Sequence, residues 1–316
     1  MSYIGVDIGG TKCAVVKGDS NGNITDKIRF DTTTPEETLD NIKKAVSRMG
    51  DAKAIGISCG GPLDSAKGII MSPPNLPGWD NVHITKIFEQ EFGISTFLRN
   101  DADACALAEW KFGAGKGCNN MIFLTFGTGM GAGLILNGML YSGSNDCAGE
   151  IGHVRMSDSG PVGYGKEGSF EGFCSGGGIA QLGANHARAM LQRGEIPSYC
   201  NSPDKLGQIS AKDIADCANR GESDAIEVFE RCGTMLGRGL SILIDVLNPQ
   251  KIVIGSVFAR CENLLRSSMQ RVIDAECIPS ASRNCEVVPA GLGESIGDVA
   301  AVSVAVDGFQ KTGGIL

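Results

Sequence analysis

The sequence has no pair of cysteines at the C-x-x-C spacing, although it contains 12 cysteines in 316 residues. A zinc ribbon or a thioredoxin-type motif needs that spacing, because two sulfur atoms on one tight turn must face one point. The cysteines are instead scattered from Cys13 to Cys285. This pattern predicts reduced thiols in a cytoplasmic protein.

Long apolar runs and positive charge are also scarce. No uninterrupted apolar run approaches the roughly 20 residues of a membrane span, and a strand-like run at 3–8 leads us to expect no signal peptide. Lys and Arg number 28 against 36 Asp and Glu, which gives a net charge of −8. Since an acidic surface repels phosphate backbones and anionic lipids, we expect neither nucleic acid nor a membrane as a partner.

What the chain has in excess is glycine, with 45 residues. Clustered glycines mark places where the backbone turns sharply or approaches a ligand closely, although each single cluster also fits an ordinary loop. The length is that of roughly two domains. The hydrophobic fraction of 42% and the charged fraction of 20% are typical of a globular protein.

Hairpin strands followed by strands alternating with helices predict an α/β fold. A strand–glycine turn–strand unit occurs at 3–18 and again at 121–136, which indicates two similar halves. We predict an N-terminal α/β domain of residues 1–115, with the C-terminal helix of about 300–316 packed back on it. Residues 116–299 would form a larger C-terminal α/β domain, in which 138–220 is irregular apart from a helix near 177–191.

The first glycine turn carries polar side chains suited to phosphate. Gly9 and Gly10 lie between two strands, where a turn exposes backbone N–H groups. Thr11 adds a hydroxyl, Lys12 a positive charge, and Asp7 a carboxylate able to hold hydrated Mg²⁺. The stretch is not a Walker A loop, which has a longer glycine spacing and leads into a helix. A plain hairpin turn fits it equally well.

The second glycine turn contains Gly127, Thr128, Gly129 and Gly131. Its G-x-G-x-G spacing resembles a dinucleotide-binding fingerprint, but that fingerprint requires a helix after the loop. Here the run 134–136 predicts a strand instead. A second phosphate-binding turn is therefore the better interpretation.

Two further motifs carry candidate catalytic or binding groups. Asn100 and Asp101 stand at a strand end before a predicted helix, where they are either helix caps or, for Asp101, a general base. Glu150 and His153 lie three residues apart in a loop. That pair fits zinc binding, polyol binding or simple packing.

In this order the motifs resemble the ROK family, whose members include bacterial glucokinases, fructokinases, N-acetylmannosamine kinases and sugar-responsive repressors. The resemblance runs from residue 3 to about residue 305 and rests on six stretches: Asp7–Lys12, Asn75–Trp79, Asn100–Ala102, Gly127–Gly131, Glu150–His153 and Asn248–Gly255.

The resemblance implies a two-domain actin-like ATPase (ribonuclease H-like) fold with a cleft between similar halves. It implies an ATP-dependent kinase for a hexose, with glucose as the leading candidate and the 6-hydroxyl as acceptor. Asp101 would be the catalytic base, and Asp7 would hold Mg²⁺ through water. The expected sugar-binding residues are Gly61, Asn100, Asp101, Glu150, His153 and Glu171. The expected ATP-binding residues are Asp7, Gly9, Gly10, Thr11, Lys12, Gly127, Thr128, Gly129, Gly131 and Gly255. Family members are often homodimers.

Two departures from the family pattern stand out. Where the family usually has three zinc-binding cysteines after the Gly-His pair, this chain has Val162, Tyr164 and Ser169. Three ligands cannot be lost from a tetrahedral zinc site, so we predict no zinc site. Ser256 follows Gly255 where the family often has a further glycine.

Other classes of protein stay open at this point. One alternative is a non-catalytic sugar-sensing ROK protein without a DNA-binding domain, because only six residues precede Asp7. Another is an acetate-kinase-like or chaperone-like ATPase of the same architecture. The expected polyol-binding set of Glu150, His153 and Glu171 argues against the second.

Overall fold

The computed structural model describes residues 1–314 of the chain. Within them, 14 strands and ten α-helices alternate in the order expected for an α/β protein. The strands are β1 (Ser2–Ile8), β2 (Lys12–Asp19), β3 (Ile24–Asp31), β4 (Ile55–Cys59), β5 (Leu63–Asp64), β6 (Ile69–Ile70), β7 (Thr96–Asn100), β8 (Met121–Leu124), β9 (Ala132–Leu136), β10 (Met139–Tyr141), β11 (Val162–Gly163), β12 (Lys166–Glu167), β13 (Lys251–Ile254) and β14 (Glu286–Pro289). The helices are α1 (Pro35–Met49), α2 (Ile84–Phe92), α3 (Asp101–Phe112), α4 (Phe170–Phe173), α5 (Gly176–Gln192), α6 (Ala211–Asn219), α7 (Ser223–Leu247), α8 (Val257–Glu276), α9 (Pro279–Ser282) and α10 (Ile296–Lys311).

The first sheet has the strand order β3-β2-β1-β4-β7. β1, β2 and β3 are consecutive antiparallel strands, whereas β4 and β7 run parallel to β1. Ile8, Cys59 and Asn100 therefore stand in one row of the sheet, at the carboxyl ends of the three parallel strands. Loops that follow such ends are where open α/β sheets place their ligand-binding residues.

The second sheet repeats this order as β10-β9-β8-β13-β14. In both sheets three consecutive strands are followed by two later ones, and β13 and β14 are parallel. The repeated strand–glycine turn–strand unit of the sequence thus marks two sheets of the same topology. The predicted α/β class is confirmed.

Helix α10 lies against the first sheet because two strand residues have no side chain. A Cβ on Gly5 would lie 2.7 Å from the backbone nitrogen of Val302, and one on Gly56 would collide with the backbone of Ala305. Tyr3 packs with Val302 and Ala305 in the same buried cluster. Close approach of this kind increases apolar burial, which stabilises the docked helix.

Two compact units emerge from the contacts among residues. Unit 1 contains residues 1–123, 133–149 and those from 291 onward, and unit 2 contains 124–132 and 150–290. The domain bounds 1–115 and 116–299 stay a prediction. The helix predicted at about 300–316 ends at Lys311 as α10, and its last two positions, 315 and 316, lie outside the described residues.

The prediction that 138–220 is irregular apart from one helix is wrong. The segment also contains β10, the β11–β12 hairpin, α4 and α6. Helix α6 begins with a capping box in which Ser210 and Asp213 each satisfy a backbone N–H of the other. No helix within residues 1–314 is both long and apolar enough to cross a bilayer.

Candidate active site

In unit 1, the first glycine turn lies at the carboxyl end of β1. The N–H of Gly9 donates to the carbonyl oxygen of Lys12 at 3.1 Å, so the stretch is a tight hairpin turn. A Cβ on Gly10 would lie 2.5 Å from the carbonyl oxygen of Asn75, which explains why this position has no side chain. Thr11 and Lys12 are exposed.

Asn100 and Asp101 stand at the junction of β7 and α3 in the same unit. Asn100 is the helix N-cap, since its Oδ1 accepts the N–H of Ala102 at 2.8 Å. Asp101 Oδ1 accepts the same N–H at 2.8 Å, and the Asp101 side chain is exposed to solvent. The amide nitrogen of Asn100 would lie 3.4 Å from a Cβ on Gly61, so these two predicted sugar-binding positions are neighbours. The cap interpretation therefore holds for Asn100, while the carboxyl of Asp101 remains accessible to solvent.

The carboxyl of Asp7 is affected by burial and by its acidic neighbours. Burial, the nearby charge of Asp101 and that of Asp298 raise the pKa of Asp7 from 3.8 to about 7, and Lys27 partly offsets them. Desolvation by its surroundings raises the pKa of Asp101, although its side chain keeps an open face to solvent and the N–H of Ala102 acts in the opposite direction. A carboxylate whose proton affinity is raised is a better base near neutral pH. A hydrated cation beside Asp7 would favour its ionised form.

In unit 2, the second glycine turn is held by its own hydrogen bonds. Thr125 Oγ1 accepts the N–H of Gly131 at 2.8 Å, and the carbonyl oxygen of Gly129 accepts the N–H of Gly127 at 3.1 Å. Thr128 at its tip is exposed. Because the turn leads into β9, the Rossmann interpretation is excluded.

Three predicted sugar-binding residues gather beside this turn. Glu171 Oε2 accepts the backbone N–H of Met130 at 2.9 Å. Glu150 and His153 are exposed on a short 3₁₀ turn, and a Cβ on Gly152 in that turn would collide with the carbonyl oxygen of Met130. The Glu171 carboxylate is thus bound to the glycine turn, and the backbone of the 3₁₀ turn that carries Glu150 and His153 packs against it.

A cavity of 850 Å³ is lined in part by Gly127 and Thr128 of the same turn. It is lined by residues of the turn, by the N-terminal parts of α5 and α8, and by α6 from its first turn to Asn219, with Asp216 the acidic residue in the lining. Helix N-termini present free N–H groups and a positive dipole end, which favour anions. The lining residues include Gly127, Thr128, Gly176, Gly177, Ile209, Ser210, Ala211, Lys212, Ser256, Val257 and Arg260.

Sequence reasoning missed most of this cavity. It named Gly127 and Thr128 but not Lys212 or Arg260, the two cations of the lining. The capping box at Ser210 was a usable signal, because it predicts the N-terminus of α6. Gly255 does not line the cavity, but Ser256 does, with an unusual φ of 49°. A Cβ on Gly127 would lie 3.6 Å from Ser256 Oγ, which shows how closely the two segments approach.

The residues in place of the family's cysteines do not fit zinc. Ser169 Oγ is buried and accepts the N–H of Gly172 as the cap of α4, and Val162 is exposed. The Tyr164 ring lies against the imidazole of His153. The nearby thiol of Cys174 is buried and donates to the carbonyl oxygen of Cys232. None of these groups supplies the thiolate set of a tetrahedral zinc site.

Comparisons with known proteins identify the family of the chain. The model of the ROK family matches residues 3–307. A glucokinase of Thermotoga maritima is 30% identical over 311 residues, which cover 96% of this chain and 97% of the relative. A crystal structure of a ROK family glucokinase from Streptomyces griseus, in complex with glucose and AMPPNP, has a TM-score of 0.76 at 30% identity and covers 97% and 100% of the two chains. A xylose repressor of Bacillus spizizenii is 25% identical and covers 97% of this chain and 77% of its own.

The molecule is thus an α/β protein of the two-domain actin-like class. More narrowly, the chain belongs to the ROK family.

Proposed function

We propose that this protein is an ATP-dependent sugar kinase that phosphorylates a hexose or hexose derivative, with Asp101 as the general base. Glucose is the leading candidate and its 6-hydroxyl the proposed acceptor, since glucokinases are among the relatives of the chain. The proposed sugar-binding residues are those expected from the sequence: Gly61, Asn100, Asp101, Glu150, His153 and Glu171.

The observation that carries the proposal is the hydrogen bond between Glu171 and Met130. It attaches a carboxylate suited to sugar hydroxyls to the same glycine turn whose Gly127 and Thr128 line the large cavity. A kinase needs its acceptor and its phosphate donor at adjacent sites, because the reacting atoms must come within about 3–3.5 Å. A protein that only bound sugar would not need a nucleotide-sized cavity on that turn.

ATP fits the cavity on three grounds. Its volume of 850 Å³ lies in the range of small-molecule sites. Ile209, Ala211 and Val257 offer an apolar surface for a base, while Lys212 and the converging helix N-termini attract phosphates. The proposed phosphate contacts also include the turn at Gly9, Gly10, Thr11 and Lys12 together with Gly129, Gly131 and Gly255.

Asp7 has the carboxylate that a hydrated magnesium ion prefers. When bound, magnesium neutralises charge on the phosphate oxygens during transfer. The raised pKa of Asp7 supports a cation at this position. It means that Lys27 and Arg29 do not offset the effects of burial and of the Asp101 charge on the ionised carboxylate, so a bound cation would stabilise it.

The proposed reaction is an in-line phosphoryl transfer. Asn100, Glu150, His153 and Glu171 bind sugar hydroxyls and fix the ring. The exposed carboxylate of Asp101 accepts the proton of the attacking sugar hydroxyl as the hydroxyl oxygen bonds to the γ-phosphorus. The bond from the γ-phosphorus to the bridging oxygen breaks, and ADP leaves with the electron pair. The raised pKa of Asp101 strengthens it as this base.

The test is a coupled assay of ADP release with about two dozen sugars, followed by Asp101→Asn with the preferred sugar. The variant keeps the size of the side chain and removes the base, so kcat is expected to fall by about 10²–10⁴-fold with little change in sugar affinity. Asp26→Asn makes the same chemical change at an exposed position of β3 and should leave kcat unchanged.

Near-normal turnover of Asp101→Asn would refute the role of Asp101. Sugar binding without any ATP consumption would favour a sugar-sensing protein instead, as the xylose repressor among the relatives illustrates. We further propose a cytoplasmic homodimer without nucleic acid or membrane partners and without zinc. Sedimentation measures the oligomeric state, and elemental analysis of the purified protein measures zinc.

A further inference from the structure

The hairpin after the Glu150–His153 turn has an unusual residue at its tip. β11 and β12 pair Gly163 with Lys166, so Tyr164 and Gly165 form a two-residue turn. Their φ angles are 45° and 74°. Such a turn needs positive φ at both central positions, which favours Asn, Asp or Gly and disfavours a bulky side chain. Tyrosine is therefore strained at this position.

The same chain forms a comparable turn with favoured residues. Asn137 and Gly138 join β9 to β10, where Leu136 pairs with Met139, and their φ angles are 52° and 70°. This pair is the strongest sequence signal for a two-residue hairpin turn. The turn geometry alone therefore does not explain Tyr164, and some other contact must favour it.

Core packing does not explain it either, because Tyr164 is 68% exposed. Its ring packs against that of His153: the ring centroids are 5.1 Å apart and the planes are perpendicular. Edge-to-face contact is a favoured arrangement of aromatic pairs. Strained backbone at such a residue points to a functional reason for the contact.

The hairpin is fixed to its surroundings at its base. Val162 exchanges two hydrogen bonds with the side chain of Gln181 in α5, each at 2.9 Å. Lys166 Nζ donates to the carbonyl oxygen of His153 at 2.6 Å, and Arg155 donates to the carbonyl oxygen of Glu167 at 2.9 Å. The Tyr164 ring and the His153 backbone are thus held by one hydrogen-bonded frame.

We propose that Tyr164 is a positioning residue that holds the imidazole of His153 in place for sugar binding. In this chain, Val162, Tyr164 and Ser169 cannot bind a zinc ion that would orient the imidazole instead. This inference rests on the proposed function, in which His153 binds a sugar hydroxyl. Tyr164 acts through His153, and its phenol hydroxyl takes no part. In this proposal, the backbone strain at Tyr164 is tolerated because the tyrosine ring limits the movement of the His153 imidazole, which is otherwise exposed.

The test separates the turn from the ring. Tyr164→Asn inserts the residue favoured by the turn and removes the ring, so the thermal unfolding midpoint should hold or rise. The KM for sugar should nevertheless rise about 2- to 10-fold, the range expected for losing one aromatic contact. The KM for ATP should stay unchanged. Tyr164→Phe keeps the ring and should match the wild type in both sugar KM and stability.

Asn137→Tyr is the matched control, since it places the same strained residue in the other turn. It should lower the unfolding midpoint and leave the sugar KM unchanged. Sugar affinity is also measured by calorimetry without nucleotide, so that the comparison does not depend on turnover.

Three results would overturn the role of Tyr164 without affecting the kinase proposal. They are an unchanged sugar affinity in Tyr164→Asn, a loss of stability in that variant parallel to its loss of affinity, and a Tyr164→Phe variant as impaired as Tyr164→Asn. Sugar binding by the wild type without ATP turnover would overturn the kinase proposal and leave the positioning role of Tyr164 to be decided by calorimetry. A wild type that neither binds nor phosphorylates any sugar would overturn both.

Discussion

Asp7 stabilises the folded chain less when it is ionised, and this makes its replacement informative. Its carboxyl lies partly buried at the end of β1. Burial is the largest cause of its raised pKa of about 7, followed by the charges of Asp101 and Asp298. Asp7→Asn keeps the shape of the side chain and removes both the ionisation and the repulsion. We therefore expect a variant that loses most of its turnover and is yet more stable at alkaline pH.

The sign and size follow from proton linkage. The folded state binds the proton of Asp7 more tightly than the unfolded state does, so its stabilising effect is present at low pH and is lost as pH rises through about 7. A shift from 3.8 to about 7 corresponds to about 4 kcal/mol at full ionisation, as an order of magnitude. More than half of this loss falls between pH 5 and pH 8. Asp7→Asn does not titrate, so its advantage over the wild type should grow by about 2–3 kcal/mol across that window.

Urea unfolding of both proteins at pH 5 and pH 8, without nucleotide or divalent metal, measures this difference. Asp26→Asn serves as the control, because it removes an exposed carboxylate from the same sheet. A stability difference between wild type and Asp7→Asn that is equal at the two pH values would refute the reasoning. In the coupled assay Asp7→Asn should lose most of its turnover, and unimpaired turnover would refute the role of Asp7 with the cation.

Two more predictions concern stability alone. Gly56→Ala should lower the free energy of unfolding by about 1–3 kcal/mol, because the new methyl group collides with the backbone of α10 near Ala305. The control is Gly207→Ala, because nothing lies within 4 Å of a Cβ at that position. Equal urea midpoints for the two variants would contradict the argument. Glu109→Gln should lower the free energy of unfolding by about 1–3 kcal/mol. The buried Glu109 carboxylate accepts the N–H groups of Ala114, Gly291 and Leu292 at 2.7, 3.1 and 2.9 Å. The amide of glutamine has only one oxygen, so it cannot accept all three hydrogen bonds. If Glu109→Gln unfolded at the same urea concentration as the wild type, the three hydrogen bonds of Glu109 would contribute nothing to stability.

Most long elements could be predicted from the sequence because local preference and packing agree in them. Helix α1 begins where Thr34 precedes Pro35, and the Thr34 hydroxyl does accept the N–H of Glu37 at 3.3 Å. Helix α7 covers 223–247 as its apolar periodicity predicts. The repeat of strand, glycine turn and strand correctly indicated the duplicated sheet topology.

The short elements of 138–220 could not be predicted in the same way. α4 has four residues and each strand of the β11–β12 hairpin has two, which is too short for any periodicity to show. Their conformation depends on distant partners, such as Gln181 against Val162. The cavity beside the second turn is lined by parts of three helices that lie far apart in the sequence. The residues of its lining could therefore be identified only from the structure, whereas its glycine turn could be predicted from the sequence.

The positions that break local rules are the ones at the candidate site. Burial raises the pKa of both Asp7 and Asp101, and the charge of Asp101 raises that of Asp7 further. Tyr164 and Ser256 take positive φ angles that their side chains disfavour, one beside His153 and one in the cavity lining. Strain and repulsion persist only where the surrounding structure enforces them, and they cost stability unless a ligand relieves them. If the proposed function is correct, sugar and magnesium-bound nucleotide should raise the unfolding midpoint of the wild type more than that of Asp7→Asn, because only the wild type has the repulsion to relieve. Equal shifts in the two proteins would mean that these rule-breaking residues are not linked to binding.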